Sequence, residues 1–315
     1  MKNYLGVEIG GSKQQIYIFD ESIHLLEIVS EKISHPNGAA DILAWLEENV
    51  QKVLKRYPDV ACIGVGFGGP LESATGRILC SVHVPGWKDF ELKTWFEEKF
   101  QKPAVIVNDT VAGGFAELKL GSGRDSSVFF YTNIGTGIGG SIFIHGEYFD
   151  GIGYGGAYLG NTYVADWTSD QPGAICRLEC VSSGINIEAR LRKPGYVPSD
   201  SSLLSMCGGD IQKIDGRMLK EAAVSGDAFA MAEIERVATS YGNAIGNMVT
   251  LLGCDVVAIG GGIANYGEFF RKMVEKAAND VVFISGKDRF RLVLCELMDD
   301  NVPYGAALFA REAVS

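Results

Sequence analysis

Basic residues are in short supply in this chain. Lys and Arg number 28 against 39 Asp and Glu, a formal net charge of −11 over 315 residues. Nucleic acid is held by Lys and Arg that neutralise phosphates, so a nucleic-acid partner is not expected. Long apolar runs are also lacking. No stretch reaches about 18 uncharged apolar residues, so no membrane-spanning helix is expected. The opening, Met1-Lys2-Asn3-Tyr4-Leu5, reads directly into a strand and has no signal-peptide core. The seven cysteines (Cys62, Cys80, Cys176, Cys180, Cys207, Cys254 and Cys295) are scattered, odd in number and set mostly among apolar neighbours. They form no disulfide framework; they predict reduced core thiols and a cytoplasmic protein.

What is present is glycine, 40 residues of it, alongside 47% apolar and 21% charged residues. Such a chain has many tight turns, and its length suits two domains, each with its own core. The pattern reads as strand, turn, strand, then a third strand over Leu25 to Ile33. Apolar residues at helical spacing predict a helix over Ile42 to Leu54. A continuous apolar strand follows at Val60 to Val65, then a glycine-rich loop from Gly66 to Gly76. A helix over about Glu91 to Phe100 leads to a strand, Ala104 to Val107, that ends at Asn108-Asp109. A helix over Ala112 to Leu120 carries the chain into a second half. There the pattern predicts a glycine hairpin around Gly135, an irregular stretch from Gly146 to Gln171, and helices after Leu178, the strongest over Met231 to Met248. A strand at Val256 to Ile259 follows, then a helix through Phe269 to Val274, a strand near Arg291 to Leu297 and a closing helix over about Tyr304 to Ala313. Strands alternating with helices, with two related hairpins, predict an α/β protein of two similar halves.

Three glycine-rich elements are candidates for gripping phosphate or nucleotide. Gly6-Val7-Glu8-Ile9-Gly10-Gly11-Ser12-Lys13 is the first, and Asn133 to Ser141, containing Gly135-Thr136-Gly137, is the second. Each lies between two strands, so neither is a Walker A loop or a dinucleotide fingerprint, which need a helix directly after the glycines. Turn amides with Ser12 and Lys13 can hold phosphate; plain hairpin turn chemistry is the alternative for either one alone. Glu8, at the end of the first strand, is placed to hold Mg²⁺ through water. The third element is Gly260-Gly261-Gly262 at the end of an apolar strand, where ligands of α/β sheets sit. Asn108-Asp109 also closes an apolar strand. An Asp there can take the proton of a substrate hydroxyl; a helix N-cap is the other use of that pair.

Taken together these motifs resemble the ROK family (repressors, open reading frames and sugar kinases), over nearly the whole chain. GVEIGGSK at residues 6–13 is similar to its G-V-D-I-G-G-T-K motif, and Gly66-Phe67-Gly68-Gly69-Pro70 to its G-x-P-G-P loop. His83-Val84-Pro85-Gly86-Trp87 is similar to its N-L-P-G-W, and Val107-Asn108-Asp109 through Glu117 to its V-x-N-D-A-N-A-A-A-L-x-E stretch. GTGIGG at 135–140, IGGGIA at 259–264 and Tyr304-Gly305-Ala306-Ala307 resemble its second phosphate motif, its adenosine motif and its closing helix. The resemblance implies two ribonuclease-H-like domains with the actin- and hexokinase-like ATPase fold and an interdomain cleft. It suggests an N-terminal domain over 1–112, a C-terminal domain over 113–299 with an insert used in dimers, and a closing helix in 300–315 that packs back on the first domain. It implies an ATP-dependent sugar kinase that uses Mg²⁺ and forms a homodimer. Asp109 would be the general base. Asn108, Glu179, Gly69, Tyr158, Asn161 and His83 would face the sugar. Gly10, Gly11, Ser12, Lys13, Gly135, Thr136 and Gly137 would hold phosphates, and Gly261 and Gly262 the adenosine.

The departures from that pattern gather on the sugar side. Tyr158 stands where the family's G-E-x-G-H signature has Glu, and Asn161 where it has His. Asp170, Pro172 and Arg177 occupy the cysteine positions of the family's zinc motif, so no zinc is expected. Cys176 and Cys180, four apart, read as packing thiols. Glu8 and Ser12 replace Asp and Thr, and His83 replaces Asn. The expectation is a kinase acting on a hexose or hexose derivative with altered specificity. The alternative is an impaired sugar- or nucleotide-binding sensor. A repressor is not expected, because the first motif begins at Gly6 with no helix-turn-helix ahead of it.

Overall fold

The computed structural model describes residues 2–10, 13–32, 34–81, 84–152 and 155–314. The chain divides into two compact units. The first holds Met1–Asp125, Ser141–Gly156 and Glu296–Ser315; the second holds Ser126–Gly140 and Ala157–Cys295.

Among the described residues, ten strands build two five-stranded sheets. In the first are β1 (Asn3–Ile9), β2 (Lys13–Phe19), β3 (Leu25–Lys32), β4 (Val60–Phe67) and β5 (Ala104–Asn108), in the order β3-β2-β1-β4-β5. In the second are β6 (Val128–Ile134), β7 (Ile138–Ile144), β8 (Glu147–Tyr148), β9 (Val256–Gly260) and β10 (Arg291–Leu294), in the order β8-β7-β6-β9-β10. The two orders are the same, strand for strand. In the first sheet β1 pairs antiparallel with β2 and parallel with β4, and β4 runs parallel to β5. In the second, β9 runs parallel to both β6 and β10. The helices that place the functional residues are α1 (Ala39–Arg56), α2 (Asp109–Leu120), α3 (Leu178–Ser182), α4 (Gly184–Leu191), α5 (Ala228–Leu252), α6 (Glu268–Val281) and α7 (Asn301–Glu312).

In the first unit Leu5, Val7, Ile16, Ile63 and Val65 of the sheet pack with Ile42, Leu46 and Val50 of α1 in one buried cluster. The opposite face takes α7 at backbone distance. A Cβ on Gly6 would fall 1.9 Å from the Pro303 carbonyl oxygen, and one on Gly64 would fall 1.8 Å from that of Ala306. Glycine in these strands is therefore a packing requirement, because no side chain fits between sheet and helix. In the second unit α5 and α6 approach in the same way. A Cβ on Gly242 would meet the Val274 carbonyl at 2.5 Å, and one on Gly246 the Ala278 carbonyl at 2.7 Å.

The elements differ from expectation where capping and sheet pairing override periodicity. Helix α2 begins at Asp109 rather than Ala112, because the Asn108 side chain caps it by accepting from the Thr110 amide at 3.0 Å. Helix α7 begins at Asn301 rather than Tyr304; Pro303 sits in its first turn, where no N–H is needed. Strand β10 stops at Leu294, short of Leu297. The stretch expected to be irregular contributes Tyr163–Ala165, paired antiparallel with Ile175–Arg177. Strand β3 ends at Lys32, and Ile33 lies outside the described residues. No disulfide joins the seven cysteines, but Cys80 and Cys180 are exposed rather than in the core. No described helix is long and apolar enough to cross a membrane.

Candidate active site

In the first unit, pairing aligns the ends of three parallel strands. Glu8 of β1 faces Gly66 of β4, and Phe67 of β4 faces Asn108 of β5. Two carboxylates thus share the carboxyl edge of the sheet, Glu8 on β1 and Asp109 just past β5, both half-buried. Asp109 Oδ1 accepts the Thr110 amide at 2.8 Å. Its Oδ2 lies against bare backbone: a Cβ on Gly68 would fall 3.3 Å from that oxygen. Burial first, and the negative charge of Glu8 second, push the Asp109 carboxyl up to about 7. Burial also raises Glu8, with Asp299 and Asp300 adding to the effect, while a hydrogen bond from Gln15 and the charge of Lys13 oppose it.

Glu8 is held by neighbours that sequence patterning did not single out. Gln15 Nε2 donates to Glu8 Oε2 at 2.6 Å. Tyr17 Oη donates to Asp300 Oδ1 at 2.6 Å and lies 3.2 Å from Gln15 Oε1. The available signal was Gln14-Gln15, two amides in a strand that is otherwise apolar from Ile16 to Phe19. Asn108 fulfils the capping alternative: its Oδ1 accepts the Thr110 amide and hydroxyl, and its Nδ2 donates to the Gly69 carbonyl at 3.0 Å. That leaves one amide hydrogen of Asn108 for a substrate. The turn after β1 is closed by the Gly10 amide donating to the Lys13 carbonyl at 3.3 Å. Gly11, Ser12 and His83 lie outside the described residues.

In the second unit, the turn joining β6 to β7 is Gly135-Thr136-Gly137, with Thr136 exposed. The Gly135 amide donates to the Gly137 carbonyl at 2.9 Å, and the Gly184 amide at the start of α4 donates to the Gly135 carbonyl at 2.6 Å. Gly261 crosses the end of β6 with φ +88, and a Cβ there would lie 2.6 Å from the Ile134 carbonyl oxygen. Only glycine meets both conditions. A Cβ on Gly262, by contrast, would meet nothing within 4 Å, so this strand end presents open backbone. Glu179, on α3, carries its Oε2 to 3.8 Å from where a Gly137 Cβ would stand. The family resemblance assigned Glu179 to sugar and Gly137 to phosphate; the fold puts the two side by side. Tyr158 is 39% exposed at the start of a short turn, and the Asn161 amide donates to its carbonyl at 3.0 Å. Asn161 is exposed.

A family model described as the ROK family matches residues 4–313. The chain belongs to the ROK family. A glucokinase of Thermotoga maritima is 27% identical over 98% of this chain and 98% of its own length. An N-acetylmannosamine kinase of Yersinia pestis is 26% identical over 98% of this chain and 99% of its own. Among solved structures, a ROK family glucokinase from Streptomyces griseus in complex with glucose and AMPPNP superposes with a TM-score of 0.82. It shares 22% identity and covers 98% of this chain and 99% of that one, which supports the two-domain actin- and hexokinase-like fold.

The zinc motif of the family has no fitting counterpart in this ROK protein. Asp170, Pro172 and Arg177, at the cysteine positions, are all exposed. Pro172 and Arg177 offer no metal ligand of the usual kind. Among the described residues no group of three or more His, Cys, Asp or Glu is placed to hold an ion.

Proposed function

We propose that this protein transfers the γ-phosphoryl group of ATP to a hydroxyl of a hexose or hexose derivative, and that the sugar specificity differs from that of its glucokinase relatives. The observation that carries this reading is Asp109: a half-buried carboxyl at a strand end whose proton affinity sits near neutral pH. A general base works best when its pKa lies close to the working pH. Asp109 takes the proton of the sugar hydroxyl as that oxygen bonds to the γ-phosphorus, and the β–γ bridging oxygen leaves with ADP. The second hydrogen of the Asn108 amide orients a neighbouring hydroxyl. Tyr158 in place of Glu removes a carboxylate acceptor for sugar hydroxyls, and Asn161 in place of His presents an amide; the pairing of polar groups with substrate hydroxyls is what makes such sites selective.

Lys13, the Gly10 turn and the Gly135–Gly137 turn hold the phosphates, and Gly261 with Gly262 offers open backbone to the adenosine. The two carboxylates of the first unit fit a divalent cation, since Glu8 raises the proton affinity of Asp109 and a nearby cation relieves that repulsion. Glu8 would hold Mg²⁺ through water, and Mg²⁺ when bound neutralises phosphate charge. Glu8 is also the observation behind a second reading, a sugar- or nucleotide-binding protein without turnover, because a side chain one methylene longer displaces whatever it holds.

Incubation with Mg-ATP and a panel of hexoses, amino sugars and N-acetyl sugars, followed by ADP release, separates the two. ADP release that depends on one sugar supports the kinase. Sugar or nucleotide binding with no release above background supports the second reading.

A further inference from the structure

The segment that carries a zinc motif in the family must be held in another way here, and its surroundings supply one. We propose that Trp167 and Arg190 form a metal-free staple that positions Glu179. The role of Glu179 toward sugar rests on the kinase reading; the staple itself does not.

The segment is a hairpin followed at once by a helix. Val164 pairs with Cys176 and Tyr163 with Arg177, and the Leu178 amide donates to the Thr162 carbonyl at 2.8 Å. Glu179 is therefore the second residue of a helix hung directly from the hairpin. Helix α3 has only five residues, and so short a helix does not hold itself. Beyond its own buried Leu178 and Val181, its position depends on whatever anchors the hairpin.

Trp167 is that anchor. Its indole Nε1 donates to Ser240 Oγ on α5 at 3.0 Å. Its ring stacks against the Arg190 guanidinium, which lies 4.5 Å from the ring centroid. The Arg236 guanidinium also stands over the ring, at 5.7 Å. Arg190 is 5% exposed and joins the remaining parts. It pairs with fully buried Glu233 of α5 at 2.5 Å, and its Nη2 donates to the Val181 carbonyl of α3 at 3.2 Å. Tyr196 Oη donates to the second Glu233 oxygen at 2.9 Å. Hairpin, α3, α4 and α5 thus meet at one guanidinium. A tetrahedral zinc would tie a hairpin to a helix through four ligand bonds. Here an aromatic–cation stack and charge-assisted hydrogen bonds do so with no ion.

Removing Arg190 would leave the buried Glu233 carboxylate to Tyr196 and the more distant Arg236, at 3.7 Å, with a large loss of stability, so the informative changes are at Trp167 and Ser240. Hydrogen exchange is measured on wild type, Trp167→Ala, Trp167→Phe and Ser240→Ala, each with its metal content. In Trp167→Ala the amides of the hairpin and α3 should exchange about tenfold faster or more, with β6 and β9 unchanged. Trp167→Phe keeps the stack and Ser240→Ala keeps the ring, so each should lie between. With the phosphorylated sugar identified, Trp167→Ala should raise the KM for that sugar about tenfold, with kcat and the KM for ATP within about threefold. Unchanged hairpin exchange in Trp167→Ala overturns the staple, as does loss of protection throughout the unit. One zinc per chain in the purified protein, with a chelator loosening the same amides, overturns it as well. If no sugar is turned over by the wild type, the kinase reading fails and the exchange data still decide the staple.

Discussion

The turn after β1 and the turn after β6 occupy the same place in two sheets of identical strand order, yet they are made differently. At the first, side chains dominate: Glu8 faces Gly66, Gln15 donates to Glu8, and Asp109 stands past β5 with a carboxyl raised to about 7. At the second, backbone dominates: Gly135 hydrogen-bonds to Gly137 and Gly184, while Gly184 and Gly261 pass the carbonyls of Gly135 and Ile134 at distances that leave no room for a Cβ. One half concentrates charge that titrates; the other presents amides that do not. A duplicated frame therefore sets where a site can lie, and local residues set which chemistry each copy performs.

The sharpest way to break this contrast is Asp109→Asn. It should lower kcat/KM for the preferred sugar by about 10²–10⁴-fold, with the ATP dissociation constant within about twofold in calorimetry. Wild-type kcat/KM should fall about tenfold per pH unit below the pKa of the base, near 7, because only the ionised carboxylate accepts a proton. Full turnover in Asp109→Asn would remove the titrating half of the comparison.

Gly261→Ala tests the backbone half. A methyl at φ +88, 2.6 Å from the Ile134 carbonyl, should cost about 2 kcal/mol or more in urea unfolding and weaken nucleotide binding. A midpoint equal to wild type would mean that the close approach does not exist.

Gln15→Ala should have a smaller effect. It removes the donor to Glu8 without touching Asp109, so the metal requirement should rise about tenfold, read as the Mn²⁺ dissociation constant by electron paramagnetic resonance. Pairing it with Glu8→Asp gives a double-mutant cycle. Additive losses would show that Gln15 does not act through Glu8.

The last effect is on the pH dependence of stability. Asp109 has a folded pKa of about 7 against an ordinary value of 3.8. Between those values the native state keeps a proton that the unfolded chain has released, so stability falls as pH rises through the window. Above pH 7 the wild type bears the cost of a buried charge that Asp109→Asn lacks. The variant should be more stable at pH 8 by on the order of 2 kcal/mol, and the gap should close toward pH 4. A constant gap across that range would place the Asp109 shift elsewhere.

Much of the fold was legible because glycine and apolar runs carry their reasons locally. The bare backbone at Gly261 and the apolar strands ending in Asn108 and Gly260 can be read from residue order. The start of α2 was misplaced by three residues, since capping by Asn108 depends on its side chain turning back to the Thr110 amide. The hairpin at Tyr163 was missed, because its strands are three residues long and too short to show an alternation. Tyr17 and Asp300 are 283 residues apart, and no local pattern could have joined them.

The sequence by itself determined membership of the ROK family and two halves of α/β character, since motif order and hydrophobic periodicity are properties of the chain alone. Tertiary structure alone decided which carboxylates share a corner, that Gln15 holds Glu8, that Glu179 stands beside Gly137, and that Trp167 meets Arg190. Proton affinity, stacking and close backbone approach depend on distance and burial, and these arise only when remote segments pack together.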